Sequence, residues 1–384
     1  MKFTVDRTAF LAGLTLVLKA AGPRNAPLAV LENVLIHADS AGLILTCCNL
    51  EATLSHQVKA DVTESGATTV RAALLKEIIT AMQAPTLEAE LAARTQTLIV
   101  TAGRDRANVK GIGAADFPKV EKPAGKAIVF QPSDDLALAL RRVLIAAAGD
   151  ESRPALMGVY INKREGEPLQ LATADGFRLS VVSLPEANGI PDGAAWLIPA
   201  KWLALLTGFD LGGSLTMTTD VKRVAFDNGT TRLLIQLIDS PFPDYRAIVP
   251  KAATWGTNFV VETTRLTEAL RQLNVFARDA AYLTHWRWLA KPGASALELT
   301  GKSSETGDAR CELDLVSSAG DSLNIALNGQ YVADALKVAG TAQVRFTFGS
   351  MASSPVKIEP VGDDNFLHLV MPMALPGYEK GRES

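Results

Sequence analysis

The chain has 384 residues, room for two to three domains, and its 48% hydrophobic and 21% charged residues are typical of a protein with substantial cores. No apolar run approaches the roughly 20 residues of a membrane span, and residues 1–6 lack the basic and apolar segments of a secretory leader, so we expect neither. Three cysteines cannot form a disulfide framework and fit a reducing cytoplasm, while a net charge of −3 argues against dense phosphate contacts with nucleic acid.

The first pattern along the chain is a short strand followed by an amphipathic helix, and it occurs three times. Phe3, Phe130 and Phe259 mark the strands and recur at nearly equal intervals. An apolar stripe at helical spacing follows each one. The stripes are Leu11, Leu14 and Leu18; Leu136, Leu140, Val143 and Leu144; and Leu266, Leu270 and Leu273. The expected helix N-caps are Asp6, Ser133, and Thr263 or Thr264.

A second strand-to-helix pattern follows each copy of the first. Its copies at residues 70–75, 198–203 and 327–332 recur at almost the same interval as the phenylalanines. Alternating runs such as 232–237, and the turn Asp-Asn-Gly-Thr at 227–230, predict antiparallel hairpins between the helices. We therefore predict an α+β protein of three repeated domains, each with two helices packed on antiparallel sheet. The predicted domains are residues 1–122, 123–253 and 254–375, followed by a C-terminal tail at 376–384.

The chain carries no recognisable catalytic or cofactor motif. Its histidines lack metal-ligand spacing, and there is no phosphate-binding loop, nucleophile elbow or Cys-x-x-Cys pair. Residues 111–113, Gly-Ile-Gly, begin like a dinucleotide-binding string but lack its third glycine. We predict no cofactor and no metal site, and a triplicated chain without catalytic residues favours a scaffold or binding protein.

Five segments resemble the bacterial sliding clamps, the β subunits of DNA polymerase III. They are Met-Lys-Phe-Thr-Val at 1–5, Ala-Ala-Asp-Phe-Pro at 114–118, Ala-Asp-Gly-Phe-Arg-Leu at 174–179, Phe-Pro-Asp-Tyr-Arg at 242–246 and Val-Met-Pro-Met at 370–373. The resemblance covers the whole chain in order, and the segment at 242–246 matches residue for residue. The chain departs from the family at Ala174, where Thr is usual, at Phe177, where His is common, and at Ala374-Leu375, where Arg-Leu is more usual.

The resemblance implies the DNA-clamp fold and a head-to-tail dimer that forms a ring around duplex DNA, without sequence preference, as the non-catalytic processivity factor of a replicative polymerase. A ring holds DNA topologically, so a net charge of −3 is compatible with modest positive charge on the helices that face the hole. The candidate DNA-contacting residues are Lys19, Lys76, Arg141, Arg142, Lys201, Arg271, Arg278 and Lys337 on the predicted helices, with Arg24 and Arg153 in loops after two of them.

The resemblance also implies a pocket for the short peptides through which polymerases and clamp-loader subunits dock. Flexible methionine side chains suit such adaptable binding. The residues that map to this pocket are Leu156, Ala174, Gly176, Phe177, Arg178, Leu179, Pro243, Ala247 and Ile248 from the second domain, and Asn328, Tyr331, Val370, Met371, Pro372 and Met373 from the third.

For the dimer contact, the resemblance places the end of the first domain against the third domain of a second copy. The residues expected there are Arg104, Arg106 and Ile78 on one side, and Tyr282, Leu283, Glu305, Asp308 and Glu312 on the other. Two other interpretations stay open at this point: a scaffold of the same fold that does not encircle DNA, and an enzyme such as a nuclease that uses scattered carboxylates with a metal.

Overall fold

The computed structural model describes residues 1–119, 121–130, 133–150, 152–185, 189–209, 213–249, 255–290, 296–349, 351 and 353–374, without the side chains of Ser133, Asp134 and Trp255. The predicted tail at 376–384 lies outside these residues. The chain forms two compact units, one of Met1–Ser133 with Asp210–Leu237, the other of Asp134–Phe209 with the chain from Ile238 onward. None of the described helices is long and apolar enough to cross a membrane.

The first repeat runs from the N-terminus to the end of its ninth strand. Its elements are β1 (Lys2–Asp6), α1 (Arg7–Val17), β2 (Asn33–Asp39), β3 (Gly42–Cys48), β4 (Ala52–Val58), β5 (Asp61–Glu64), β6 (Gly66–Arg71), α2 (Ala72–Ala81), β7 (Thr86–Ala92), β8 (Thr97–Ala102) and β9 (Asp105–Ile112).

The second repeat has the same succession except that four described strands, not five, lie between its two helices, and it contributes to both units. Its elements are β10 (Ala127–Phe130), α3 (Ser133–Leu144), β11 (Gly158–Lys163), β12 (Leu169–Ala174), β13 (Arg178–Leu184), β14 (Ala195–Pro199), α4 (Ala200–Leu203), β15 (Leu215–Thr219), β16 (Arg223–Asp227) and β17 (Thr231–Gln236).

The third repeat lies entirely in the second unit. Its elements are β18 (Trp255–Glu262), α5 (Thr263–Ala277), β19 (Leu283–Trp288), β20 (Ala296–Ser303), β21 (Gly307–Asp314), β22 (Ser317–Ala319), β23 (Leu323–Asn328), α6 (Gly329–Ala339), β24 (Gln343–Gly349), β25 (Val356–Pro360) and β26 (Phe366–Val370).

In the first unit, the described strands form one thirteen-stranded antiparallel sheet. Its order is β10-β15-β16-β17-β4-β3-β2-β6-β9-β8-β7-β1-β5. The last strand of the second repeat, β17, joins the first repeat by pairing with β4, with Leu233 opposite Leu54. Both leucines are fully buried, so the pairing is fixed by apolar side chains as well as by backbone hydrogen bonds.

In the second unit, the described strands form a nine-stranded and a four-stranded sheet. The orders are β14-β11-β12-β13-β26-β25-β24-β18-β22 and β21-β20-β19-β23. Here β26, the last strand of the third repeat, pairs with β13 of the second, with Leu179 opposite Leu369. The core of the third repeat is centred on stacked aromatic rings, including Phe259, Trp286 and Phe346. The prediction of repeated helices on antiparallel sheet is thus confirmed.

All six helices among the described residues begin where the repeats predict, but two of the predicted N-caps are instead first helical residues. The Asp6 carboxylate accepts a hydrogen bond from Ala9 N at 2.8 Å, as expected. Thr263 is instead the first helical residue of α5, after Glu262, and its hydroxyl donates to Thr341 O at 2.8 Å. The N-cap prediction at Thr263 or Thr264 is therefore wrong. Ser133 is likewise the first helical residue of α3 and not its N-cap, and its side chain lies outside the described residues.

The prediction of Arg142 as an exposed DNA-contacting residue is also wrong. Arg142 is 5% exposed, and its guanidinium binds the Asp363 carboxylate at 2.7 Å. It also donates to the carbonyls of Val338 and Ala339 at 3.2 and 2.9 Å, at the C-terminal end of α6 where unpaired carbonyls attract a cation. Arg142 thereby joins α3 of the second repeat to α6 of the third.

We expect Arg142→Ala to lower the free energy of unfolding of the second unit by about 3 kcal/mol or more, because Asp363 and the α6 carbonyls would lose their buried partner. Urea unfolding followed by the fluorescence of buried tryptophans such as Trp286 measures this loss. Arg141→Ala, an exposed neighbour on the same helix, is the matched control and should change stability by less than about 0.5 kcal/mol. Equal stability of the two variants would contradict the role of Arg142.

Candidate functional site

An exposed apolar surface lies where β13 begins and the neighbouring strand β26 ends. Arg178 pairs with Val370, and just beyond this pair Met371 N donates to Phe177 O at 2.8 Å. Phe177 is 62% exposed and Met371 is 37% exposed. Two large apolar side chains held on neighbouring backbones at the surface are typical of a binding site.

The turn before β13 holds Phe177 in place. The Asp175 carboxylate accepts from Phe177 N at 2.9 Å and from Arg178 N at 3.0 Å, which closes an Asx turn. Between them Gly176 has φ +93°, a backbone conformation that disfavours a side chain. The sequence Asp-Gly-Phe-Arg therefore directs Phe177 outward and Arg178 inward.

Arg178 ties this turn to the third repeat. Its guanidinium binds Asp175 and Asp334, each at 2.9 Å, and stacks on the Tyr331 ring with 4.2 Å to the centroid. Asn328 caps α6 by accepting from Tyr331 N at 3.0 Å, which fixes the turn that carries Tyr331. Burial, reinforced by Asp175 and Asp334 and opposed by Arg178, raises the pKa of Tyr331, so its hydroxyl stays protonated. With two carboxylates on one guanidinium, Arg178 adds no excess positive charge to the surface.

The Phe-Pro-Asp-Tyr-Arg segment at 242–246 contributes further residues to this surface. Phe242 stacks on Tyr160 at 5.1 Å, and Tyr245 is buried with its hydroxyl donating to Gln170 at 2.7 Å. Both rings belong to the apolar cluster that contains Ala174 and Leu179. Just after these anchors Ile248 remains 45% exposed, and Pro243 and Ala247 are exposed too.

The remaining pocket candidates lie at the edges of this surface. Leu156 is buried in the turn Pro154–Met157, which packs against β11 and β12. Pro372 and Met373 are half-buried, and Met373 N donates to Ala326 O at 2.8 Å, which ties the end of this segment to β23. The structure thus brings residues 174–179, 242–245, 328–331 and 369–371 together around one surface, and its role as the partner-peptide pocket stays a prediction.

Arg153 belongs to this neighbourhood, although the sequence placed it among the DNA candidates. A Cβ on Gly176 would meet the Arg153 Nη1 atom at 3.0 Å, so the exposed guanidinium extends across the turn that carries Phe177. Sequence reasoning had no signal for this contact, because β11 and β12 separate the loop of Arg153 from the turn of Gly176 along the chain.

The other predicted DNA-contacting residues are on the surface of their own units. Lys76 is half-buried, Lys337 pairs with Asp334 at 3.3 Å, and Lys201 lies 5.1 Å from the centre of the Trp202 ring. The exposed ones are Lys19, Arg24, Arg141, Lys201, Arg271, Arg278 and Lys337.

The residues predicted for the dimer contact follow two strand edges. Arg104 and Arg106 are exposed at the β8–β9 turn and on β9, and Ile78 is half-buried on α2. The other group belongs to the third repeat: Tyr282 and Leu283 are half-buried, while Glu305, Asp308 and Glu312 are exposed in the β20–β21 hairpin and on β21.

A buried polar pair lies between the same two strands, β13 and β26. Ser180 Oγ and His368 Nδ1 are 2.7 Å apart and both residues are fully buried. Burial first, and then the positive charge of Arg178, lower the pKa of His368 to about 3, opposed by Asp334. His368 is therefore neutral in the folded protein at neutral pH.

Because its pKa is depressed by folding, His368 takes up a proton in the unfolded chain first, below its ordinary value of 6.5. Its contribution to stability is present above pH 6.5 and is lost progressively as the pH falls towards 3, by about 1.4 kcal/mol per pH unit. In His368→Gln, the slope of unfolding free energy against pH between 6 and 4 should decrease by that amount, measured in urea titrations. His37→Gln, at an exposed site, should keep the original slope; an unchanged slope in His368→Gln would contradict the assignment.

Among the described residues, no group of three or more His, Cys, Asp or Glu side chains could hold a metal ion. The chemistry of the surface described above is that of binding: an apolar patch, a neutralised guanidinium and hydrogen-bonding groups at its rim.

Comparisons with known proteins agree along the whole chain. The DNA polymerase III beta subunit family matches through its N-terminal domain at residues 1–121, its central domain at 131–244 and its C-terminal domain at 246–374. A beta sliding clamp of Pseudomonas aeruginosa is 30% identical over 98% of this chain and 100% of its own length.

Solved structures show the same likeness. The crystal structure of a sliding clamp from Pseudomonas aeruginosa bound to griselimycin has 28% identity and a TM-score of 0.88, over 98% of this chain and 100% of that one. The beta subunit from the DNA polymerase of Streptococcus pyogenes shares the fold, with a TM-score of 0.90 at 20% identity over 98% and 100% of the two chains. With three matched domains in order and a full-length relative, the chain belongs to the beta sliding clamp family of DNA polymerase III subunits.

Proposed function

We propose that two copies of this protein close head to tail into a ring around duplex DNA, and that the ring tethers a replicative DNA polymerase as a non-catalytic processivity factor in the cytoplasm. The observation that carries the proposal is a pair of open strand edges with opposite charge, one in each unit. Family membership supports the same function, since the relatives are sliding clamps.

The open edges are long enough for a strand pair between copies. On β9, residues 105–110 pair with β8 on one side, and on the other side β6 reaches only Gly111 and Ile112. On β21, the described partner strand is β20 alone. At about 3.3 Å per residue, six to eight residues span about 20 to 26 Å. Such long uncovered edges expose unpaired backbone N–H and C=O groups, which can pair with the strand of another chain. A specific partner edge would form hydrogen bonds with these groups.

The charges on these edges are complementary. The β9 edge carries three exposed cations, Arg104, Arg106 and Lys110. One exposed carboxylate, Asp105, lies between the two arginines. Asp308, Glu312 and Asp314 are exposed on β21, where Arg310 is paired with Glu298 at 2.7 Å. Opposite charge fixes register and orientation, which a heterologous interface needs if the ring is to close.

Apolar surface beside the edges supports the same contact. A groove of about 500 Å³ beside β9 is lined by residues that include Leu74 and Ile78 of α2. Tyr282 and the residue before it, Ala281, have φ values of 57° and 52°, which is strained for residues with side chains. Two backbone hydrogen bonds of 2.8 Å, from Tyr282 N to Ala277 O and from Gly329 N to Tyr282 O, hold Tyr282 just before β19. We infer that Tyr282 and Leu283 fill the groove of the second copy.

The ring accounts for the charge of the chain. A net charge of −3 is unfavourable for tight phosphate binding, but a topological link needs only weak contacts from exposed cations such as Arg24 and Lys19. Nothing in the described folds resembles an element that reads base edges, so we expect binding without sequence preference.

The ring is tested by charge reversal at the edges. Arg104→Glu with Arg106→Glu should convert the dimer to monomers in sedimentation at low salt, and should abolish retention on closed circular DNA after loading. Glu305→Arg, Asp308→Arg and Glu312→Arg together in the second partner should restore the mixed dimer, because the charges are then exchanged. Linearising the circle should release the wild-type protein. A reversed variant that remains dimeric, or wild-type protein that stays on cut DNA, would contradict the ring.

We further propose that the surface around Phe177 and Met371 binds the short peptides of polymerases and clamp loaders. Its support is the exposed apolar area on both strands, beside the buried anchors Tyr245 and Leu179. Methionine adapts its shape to different apolar side chains, as a pocket with several partners requires. Arg153 and Tyr331 at the rim supply hydrogen-bonding groups that would orient the peptide.

Met371→Ala with Met373→Ala should weaken binding of a labelled clamp-binding peptide from the cognate polymerase by about 2 kcal/mol or more, since hot-spot side chains cost that much when truncated. Fluorescence anisotropy measures the affinity, and sedimentation should show an intact dimer. Met351→Ala removes an even more exposed methionine elsewhere in the second unit and should leave the affinity unchanged. Unchanged affinity in the double variant would exclude this pocket.

A further inference from the structure

The first unit contains a local counterpart of the partner-peptide pocket, at the start of β4 and the end of β17. Ala52 pairs with Ile235 as Arg178 pairs with Val370. Gln236 N donates to Glu51 O at 2.8 Å, the same bond at the same distance as that from Met371 to Phe177. The same strand junction therefore occurs once in each unit.

The turn before β4 also matches the turn before β13. Asn49 Oδ1 accepts from Glu51 N and Ala52 N at 3.1 and 2.9 Å, as Asp175 does in its own turn. Phe117, which precedes a proline as Phe242 does, is buried in a cluster with Cys48 and Val30. This anchored phenylalanine holds the chain that follows it over the end of β17.

Leu50 has an unusual backbone conformation in this turn. It occupies the place of Gly176 with φ +75°, and its side chain is 51% exposed. A leucine in this conformation is strained by about 1 kcal/mol or more, and glycine would relieve the strain. An exposed apolar side chain that is kept at this cost points to a contact outside the chain.

A groove runs beside this junction in two connected parts of about 320 and 140 Å³, which share Thr53, Pro118, Lys119 and Leu234. Its floor carries hydroxyl groups, since Thr46 Oγ1 and Ser55 Oγ lie 3.0 Å apart within the lining. Leu35, Phe117 and Leu234 supply an apolar strip beside them. The groove thus combines hydrogen-bonding groups with space for a small apolar side chain.

The charge of the lining favours an acidic occupant. Lys119 and Lys122 are exposed, and within the described residues neither forms an ion pair. Arg223 and Arg232 also line the groove, each with an aspartate partner, at 3.1 and 2.7 Å. Because these aspartates neutralise the two arginines, Lys119 and Lys122 are the cations available to a ligand. In the larger part of the groove they outnumber the one carboxylate among the described lining residues, Glu121, while Glu51 lines the smaller part. Where Lys122 stands in this junction, the pocket of the second unit has the uncharged Ala247.

We propose that this groove, lined by Thr46, Thr53, Phe117, Lys119, Lys122 and Leu234 with Leu50 at its rim, is a second peptide-docking site, which takes an acidic segment of a partner protein in extended form. Carboxylates of the segment bind Lys119 and Lys122, and a small apolar side chain packs on Phe117 and Leu234. The site is distinct from the surface around Phe177 and does not depend on its function.

The probe is a fluorescein-labelled heptapeptide, Gly-Asp-Leu-Asp-Leu-Asp-Gly, compared with the same peptide carrying Asn in place of Asp. Anisotropy titration of the full chain should show saturable binding of the aspartate peptide, and at least tenfold weaker binding of the asparagine peptide. Lys119→Glu with Lys122→Glu should weaken binding of the aspartate peptide at least tenfold. Lys59→Glu with Arg94→Glu, two exposed cations of the same unit outside the groove, makes the same charge change and should have less than a twofold effect.

Two further variants separate this site from folding and from the other pocket. Leu50→Gly should unfold at higher urea concentration than the wild type and bind the aspartate peptide severalfold more weakly. Met371→Ala with Met373→Ala should bind it normally. The proposal is overturned if the aspartate peptide does not bind, if the two charge-reversal pairs have equal effects, if the asparagine peptide binds as well, or if the methionine variant loses binding.

Discussion

Antiparallel pairing between the last strand of one repeat and an early strand of the repeat before it is the interaction on which the rest of the structure depends. β17 pairs with β4 in the first unit, and β26 pairs with β13 in the second. A strand pair satisfies the backbone groups of both edges, and here it also buries opposed leucines. Without these pairings, the four strands would expose open sheet edges, and the residues on the two sides of each junction would not meet.

Both surfaces proposed here for peptide binding result from this pairing. Where the paired strands end, the backbone must turn away, and the turn presents side chains that no sheet neighbour covers. In the second unit these are Phe177 and Met371, which are apolar; in the first they are Leu50 and the lysines that follow Phe117. One backbone arrangement therefore offers two surfaces whose chemistry is set by a few side chains.

The fold could be predicted from the sequence because the repeat is nearly constant in length. The even spacing of Phe3, Phe130 and Phe259 established the order of strands and helices. The apolar stripes placed α1, α3 and α5, and the second strand-to-helix pattern placed α2, α4 and α6. The prediction of the partner-peptide pocket rests on the resemblance to sliding clamps, since the residues concerned are far apart in sequence. No periodicity connects Arg178 with Asp334, 156 residues away.

Single side chains were harder to predict than elements. Arg141 and Arg142 are neighbours on α3, but successive helical residues point about 100° apart, so one is exposed and the other buried on the α6 carbonyls. The preference of threonine for N-caps predicts a cap at Thr263, but a tertiary hydrogen bond to Thr341 O determines its place. Local preference fails where a distant backbone group competes for the same side chain.

The pairing of β4 with β17 also has a consequence for synthesis on the ribosome. β4 ends at Val58 and β17 begins only at Thr231, so most of two repeats is translated between them. At about 5–20 residues per second, β4 has left the ribosome for roughly 10–35 seconds before β17 is made. During that time the β4 edge is a template for any extended chain nearby, including the β4 of a neighbouring nascent copy. The rate of translation between these strands therefore sets how long the protein is exposed to misassembly before its first sheet can be completed.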